Sequence, residues 1–170
     1  SPLAGIITDI KYGPRRRLDA IIIKKDDEEN SVNFKTYSED DLNKTDRECL
    51  ASYFVEAGVW PFFRAFPFKN ISNHSEITPS IYVSLDDDEP FLPQSDVLID
   101  HFLHDLKLGL TAIKKISNNN LNLACKRGNN KALNSLAAFI THEISGNYPA
   151  NNPAVFLYHN KKSSNENKAW

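Results

Sequence analysis

Methionine is absent from this sequence of 170 residues, and cysteine and glycine are scarce, with two and six copies. The chain therefore lacks an initiating residue, and its opening "SPLAGIITDI" is typical of the approach to a strand. The close "NENKAW" places a lone tryptophan after a polar loop. Both ends predict cuts, so we expect an internal fragment of a longer protein.

Cysteine clusters, long apolar runs and a charge excess are also lacking, and each lack excludes a class of protein. Cys49 and Cys125 lie far apart, which predicts reduced thiols and excludes an iron–sulfur set, a cysteine metal motif and a disulfide framework. No apolar run approaches the roughly 20 residues that span a bilayer, and no signal-peptide pattern occurs. A net charge of −2 gives no electrostatic reason to expect nucleic acid.

The glycines are too widely spaced for a phosphate-binding loop. They stand at positions 5, 13, 58, 109, 128 and 146, so neither G-x-G-x-x-G nor a P-loop occurs. The sequence therefore predicts that this chain binds no flavin or nicotinamide cofactor. The basic turn "KRGNNK" stays open between a phosphate contact and a solvated loop, and we favour the loop.

What the chain does contain begins with two β-rich runs. "GIITDIK" and "LDAIIIK" flank a Gly-Pro turn, which predicts a β-hairpin over Gly5–Lys24. A hairpin is unstable alone in water, so it needs a partner sheet. We predict a partial hairpin domain at residues 1–25, followed by an acidic linker at residues 26–44.

The rest of the chain alternates helices and strands. Thr45 and Glu48 form a capping box that predicts the start of a helix, and Gly58 suits its end. Strands are predicted at Ser80–Leu85, Leu121–Cys125 and Ala154–His159, with helices at Ser95–Ile116 and "NKALNSLAAFI". This order predicts an α/β domain with a Rossmann-like parallel sheet. We place a helix with an aromatic connector at residues 45–70 and the α/β domain at 71–170.

An acidic turn follows the first strand of that sheet. Asp86–Glu89 lie where ligands of open α/β sheets gather, so they form either a cation site or a charged turn before a helix N-terminus. We favour the charged turn. His101 and His104 share a helix, and we expect both in solvent. No catalytic constellation and no metal site is predicted.

The densest group of unusual residues is "WPFFRAFPF", Trp60–Phe68, in which five of nine residues are aromatic. Its two prolines disfavour regular structure. The rings can fill a core at a domain junction, form a surface for a partner, or line a site for a flat apolar ligand. Composition alone leaves these three interpretations open.

Several stretches together resemble the NqrA component of the sodium-translocating NADH:quinone reductases. "SPLAGIITDIKYGPRRRLDAIIIK" is similar to the family's barrel-sandwich hairpin, and "EAGVWPFFRAFPF" to its "SGLW…R…RPF" segment. "IYVSLDDDEP" is similar to a strand ending in "D-x-x-P", and "LGLTAIKKISNNNLNLACK" to a helix–strand pair ending in "VCK". The likeness is collinear over nearly the whole chain. Two positions depart from the pattern: Phe66 replaces an arginine, and "YPAN" at 148–151 replaces "HPAG".

The resemblance implies a partial Rossmann-like α/β domain, preceded by a β-hairpin from a barrel-sandwich (biotinyl/lipoyl-like) domain. It implies one component of a complex that couples NADH oxidation and ubiquinone reduction to sodium export. The partners would be ubiquinone and the other subunits of that complex. The location would be peripheral, on the cytoplasmic side of the bacterial inner membrane. The fragment alone would be inactive.

A more distant resemblance connects the chain with the FMN- and NADH-binding subunit of respiratory complex I. There, a glycine-rich loop holds the flavin after an "E-x-G-L" helix end, whereas Val59–Phe68 contains no glycine. The resemblance implies a lost flavin cradle, replaced by rings and an arginine that suit a flat quinone with two acceptor oxygens. The candidate quinone residues are Trp60, Phe63, Arg64, Phe66, Pro67, Phe68 and Lys69. The alternatives are a flavin- or nucleotide-binding domain and a non-catalytic docking scaffold.

Overall fold

The structure is a computed structural model that describes residues 4–28, 31–86 and 95–170. The chain divides into two compact units, Ser1–Thr36 and Tyr37–Trp170. In the first unit, strand β1 (Gly5–Tyr12) pairs with strand β2 (Leu18–Lys25) in an antiparallel hairpin. The predicted hairpin is confirmed. Its membership of a barrel-sandwich domain stays a prediction.

The second unit begins with two short helices. Helix α1 (Glu39–Lys44) starts inside the segment predicted as a linker, because Ser38 and Asp41 form a reciprocal capping box. Helix α2 (Arg47–Glu56) follows it directly. The acidic residues around position 40 favour a helix N-terminus, since their charge complements the helix dipole. The polar composition of this segment therefore does not keep it irregular.

The start of α2 differs from the prediction, and its end does not. Asp46 is the N-cap, and its carboxylate accepts a hydrogen bond from the backbone N–H of Cys49 at 2.7 Å. The predicted capping box of Thr45 and Glu48 is wrong, because Thr45 instead ends α1. At the other end, Gly58 has a φ of +74°, a left-handed conformation that closes the helix as predicted.

The main sheet has three parallel strands. Strands β3 (Arg64–Ala65) and β4 (Asn70–Ile71) first form a small antiparallel pair. The main sheet then contains β5 (Ile81–Ser84), β6 (Leu121–Lys126) and β7 (Ile140–Ile144) in that spatial order. The connections contain α3 (Ser95–Ile116) and α4 (Asn130–Ser135), and α5 (Pro153–Asn160) comes last. The predicted parallel α/β sheet is confirmed.

The third strand of the sheet lies elsewhere than the sequence predicted. The segment Ala154–His159 belongs to α5, and Ile140–Ile144 forms the strand. Asn152 caps α5 by accepting a hydrogen bond from the N–H of Ala154 at 2.9 Å, and Pro153 occupies the first turn. A cap followed by proline starts a helix efficiently, which overrides the β preference of "AVFLYH". The predicted helix "NKALNSLAAFI" correspondingly ends at Ser135.

Both faces of the sheet are covered. Neighbouring residues of a strand point to opposite faces, and Leu123 and Ala124 accordingly belong to different buried clusters. The larger cluster contains Leu50, Trp60, Ile99, Ile116, Leu123 and Leu136. The smaller cluster contains Tyr82, Ala124, Phe156, Leu157 and Ala169. Coverage on both sides is typical of parallel sheets.

Candidate functional site

A cleft of about 510 Å³ opens in the second unit, beside the aromatic segment and the first strand of the main sheet. The aromatic segment, β5, α3, the start of α5 and the indole of Trp170 contribute its walls. The lining includes Phe54, Phe62, Phe63, Phe66, Ile81, Tyr82, Val83, Ile113 and Trp170. Most of this wall is apolar. A cleft of this size and character is typical of sites for small organic molecules.

Trp60 supports the cleft wall from beneath. Its side chain is only 4% exposed, and its Nε1 donates a hydrogen bond to the carbonyl oxygen of Ser72 at 2.8 Å. The indole lies 4.9 Å from the ring of Phe63 and 5.5 Å edge-on from the ring of Trp170, between centroids. Trp60 is therefore a core residue that fixes Phe63 and Trp170.

Phe63 and Phe66 line the cleft directly. Phe63 is half-buried, and its ring stacks at 6.1 Å on the ring of Phe54. Phe66 packs against the smaller buried cluster, and its backbone N–H donates to the carbonyl oxygen of Ala169 at 2.9 Å. Both rings are thus held from behind while one side faces the cleft.

Arg64 and Lys69 are the two cationic residues of the cleft. Both are exposed, and neither forms an ion pair or a side-chain hydrogen bond within the part of the chain that the structure describes. The short β3–β4 pair positions them, because it places Arg64 opposite Ile71 and turns the chain back before Lys69 can continue a strand. The cleft therefore combines apolar walls with charged donors.

The seven predicted site residues do not form one surface. Phe63, Arg64, Phe66 and Lys69 line the cleft, and Trp60 lies below it. Pro67 and Phe68 belong to the exposed turn beyond β3, where Phe68 is 82% exposed. The structure thus brings four of the seven together. Their role in binding a quinone stays a prediction.

Tyr82 and Trp170 also line the cleft, and sequence reasoning did not include them. The hydroxyl of Tyr82 donates to Oε2 of Glu166 at 2.9 Å. Burial, and then the Glu166 carboxylate, raise the pKa of Tyr82 to about 12, so the phenol stays neutral at physiological pH. Trp170 reaches the cleft because its backbone pairs with Ser80 and Tyr82. No local pattern in the sequence predicts this pairing.

Asp86 is the one residue of the predicted acidic turn that the structure describes, since Asp87, Asp88 and Glu89 lie outside the described residues. Its carboxylate accepts hydrogen bonds from Ser95 Oγ at 2.6 Å, the Lys126 N–H at 2.6 Å and Asn129 Nδ2 at 3.0 Å. These bonds join the ends of β5 and β6 to the start of α3. Within residues 4–28, 31–86 and 95–170, no group of three His, Cys, Asp or Glu side chains could hold a metal ion.

Parallel strands, helices on both faces and an apolar cleft beside the first strand define an α/β domain with a small-molecule cleft. This chain belongs to the NqrA family, because the family model described as "NqrA second alpha/beta domain" matches residues 45–170. The predicted resemblance is confirmed.

The curated relatives share one name, that of the A component of the Na(+)-translocating NADH-quinone reductase. The relative from Alcanivorax borkumensis is 30% identical over 161 residues, covering 94% of this chain and 36% of that protein. The relative from Saccharophagus degradans is 25% identical over 170 residues, covering 100% and 38%. The one from Histophilus somni strain 2336 is 28% identical over 151 residues, covering 88% and 33%. This chain therefore spans about a third of the length of these relatives. In the described ranges, no helix is long and apolar enough to cross a membrane.

Proposed function

We propose that this chain is part of an NqrA protein working in a sodium-translocating NADH:quinone reductase, and that its cleft borders the quinone head-group site. The complex would couple NADH oxidation and ubiquinone reduction to sodium export. The chain would lie on the cytoplasmic side of the bacterial inner membrane, held there by the other subunits. It would contribute quinone contacts and carry no flavin of its own. The names of its relatives support the setting of this proposal.

The observation that carries the quinone assignment is the pairing of held rings with free donors in one cleft. Phe63 and Phe66 each present a ring whose other side is packed. Arg64 and Lys69 line the same cleft. A quinone head group is a flat ring with two carbonyl oxygens, so it requires apolar faces and donors at its edge. The cleft supplies both.

Each predicted residue then has a defined part in the proposal. Phe63 and Phe66 contact the faces of the ring, and Arg64 donates to one carbonyl oxygen with Lys69 near the other. Trp60 acts as a positioning residue, because it packs against Phe63. Pro67 and Phe68 border the mouth of the site without lining it.

A titration with a short-tailed ubiquinone tests the assignment. Trp60 and Trp170 are the two tryptophans of the chain, and Trp170 lines the cleft, so a bound quinone should quench the intrinsic fluorescence. In Arg64→Leu the loss of one charged donor at an exposed position should weaken binding by about 10-fold, or ~1.4 kcal/mol.

The matched control is Arg127→Leu, since Arg127 is exposed and does not line the cleft. Its affinity for the quinone should equal that of the unmodified chain. Equal affinities in all three proteins, with unchanged thermal melting, would remove Arg64 from the site.

A docking scaffold is the second candidate function, because two phenylalanines are almost fully exposed. Phe62 is 83% and Phe68 is 82% exposed, which is unusual for large rings without a binding role. Phe68→Ser leaves the cleft lining intact, so it should weaken assembly with the other subunits while quinone quenching is unchanged. Normal assembly of this variant would argue against the scaffold.

A further inference from the structure

The charge of the cleft is unbalanced. Among the described residues that line it, two are cationic, Arg64 and Lys69, and none carries a carboxylate. Neither cation has an ion-pair partner in the described part of the chain. Exposed lysines and arginines need no partner on an open surface. Here, however, the two charges border walls made of aromatic and aliphatic side chains.

The polar groups left in the cleft are donors. The Tyr82 hydroxyl hydrogen is committed to Glu166, and the Asn152 side-chain oxygen accepts from the N–H of Ala154. Guanidinium and ammonium groups donate hydrogen bonds and cannot accept them. A ligand's polar edge must therefore consist of acceptors. The best acceptor opposite a cation is an ionised oxygen, because charge-assisted hydrogen bonds are about twice as strong as neutral ones.

We propose that the cleft prefers flat aromatic ligands whose polar edge bears an ionised oxygen over neutral ligands of the same shape. This inference rests on the proposed function, since it specifies the chemical class of quinone that the cleft takes. Phe63 and Phe66 contact the ring, and Arg64 and Lys69 contact the anionic edge. The apolar walls strengthen this attraction, because charges beside a low-dielectric surface are less screened than charges in open water.

A pair of nearly isosteric probes isolates the charge. Lawsone is a naphthoquinone whose ring hydroxyl is a vinylogous acid and is ionised at neutral pH. Its methyl ether has the same ring and carbonyl oxygens but no charge. Fluorescence quenching of the two tryptophans should give a dissociation constant about 10-fold lower for lawsone than for the ether. The ratio should fall as salt is added, because salt screens the charge–charge term.

The variants Arg64→Gln and Lys69→Gln keep polar side chains and remove one charge each. Each should reduce the lawsone-to-ether preference by about 3-fold, as expected for half of the total on a logarithmic scale. Lys107→Gln is the matched control, because Lys107 is exposed on α3 and does not line the cleft. It should leave the preference unchanged.

The possible outcomes separate the two proposals. Equal affinity for lawsone and its ether would overturn the charge preference while leaving a quinone cleft intact. Failure of either naphthoquinone and of short-tailed ubiquinone to bind would overturn the proposed function itself. A preference that persists unchanged in both Gln variants would locate the anion away from Arg64 and Lys69 and would contradict the inference.

Discussion

The strands of the hairpin and those of the main sheet are equally apolar in sequence, yet they differ completely in burial. In β5, Ile81 is 2% exposed, whereas Ile10 in β1 is 42% exposed. Leu123 of β6 is fully buried between helices on both sides of the sheet, while every residue of β1 is exposed. Composition and β-branching are therefore enough to specify a strand but not to specify what covers it. Coverage decides how much each strand contributes to stability.

The physical reason is that burial needs a second layer. Helices α3 and α5 supply that layer for β5, through Ile99 and Ile116 on one side and Phe156 on the other. The first unit contains no α-helix within its described residues and ends near Thr36, so its isoleucines find no cover there. A lone two-stranded hairpin is at best marginally stable in water.

Hydrogen exchange should show the largest difference between the two regions. Amides of β6 should open only with global unfolding of the second unit, at about 5 kcal/mol or more, whereas hairpin amides should open at close to zero cost. We therefore expect protection in Leu121–Lys126 to exceed that in Leu18–Lys25 by at least about three orders of magnitude. Equal protection would mean that the hairpin is covered by something other than residues of its own unit.

The same substitution placed in the two regions should give very different losses of stability. Ile81→Ala removes a fully packed side chain from β5 and should lower the free energy of unfolding by about 2–5 kcal/mol. Ile10→Ala removes an exposed one and should change it by about 0.5 kcal/mol or less. Denaturant unfolding followed by tryptophan fluorescence measures both, since both tryptophans lie in the second unit. Similar losses would contradict the burial contrast.

Asp86 sharpens the comparison at the strand ends, because its carboxylate joins β5, β6 and α3. Asp86→Asn places a donor where the carboxylate accepts three hydrogen bonds and should cost about 1–3 kcal/mol. Asp100→Asn is the control, since Asp100 forms only a surface ion pair with Lys131 and should cost about 1 kcal/mol or less. A larger cost at Asp100 than at Asp86 in urea unfolding would refute the assignment of Asp86 as a structural clamp.

The smallest expected effect concerns pH and the edge strand β7. Burial, and then the positive charge of Lys162, lower the pKa of His142, whose ring packs 5.0 Å from Phe156. The unfolded chain then binds a proton more readily than the folded chain, so stability falls as pH drops from about 7 to 5. Because the ring is largely solvated, the loss should stay below about 1 kcal/mol. His142→Gln should flatten this part of the pH–stability profile, and an unchanged slope would assign it to other groups.

Local chemistry in the sequence predicted most of the second unit. The periodicity of Ser95–Ile116 and the apolar runs around Ile81 and Leu123 indicated a helix and strands close to the observed bounds. The third strand was misplaced because the Asn152 cap and Pro153 outweigh β propensity. Competing local signals of this kind differ by little free energy, so tertiary packing decides between them.

The candidate site was predictable only in part, for a related reason. The density of rings identified Phe63, Arg64, Phe66 and Lys69, which line the cleft. Adjacency in sequence could not reveal that Trp60 points into the core while Phe68 stays exposed. Tyr82 and Trp170 join the site through pairing between distant parts of the chain, and such contacts leave no local signal.

The most direct test of the quinone cleft uses the exposed hairpin as its internal reference. Amide NMR spectra of the isotope-labelled chain, titrated with a short-tailed ubiquinone, report on both regions at once. A specific cleft predicts saturable shifts at Phe63–Lys69 and around Tyr82 and Ile113, with the amides of β1 and β2 unmoved. Shifts that appear equally at the exposed isoleucines of the hairpin, or no shifts around the cleft, would contradict the account.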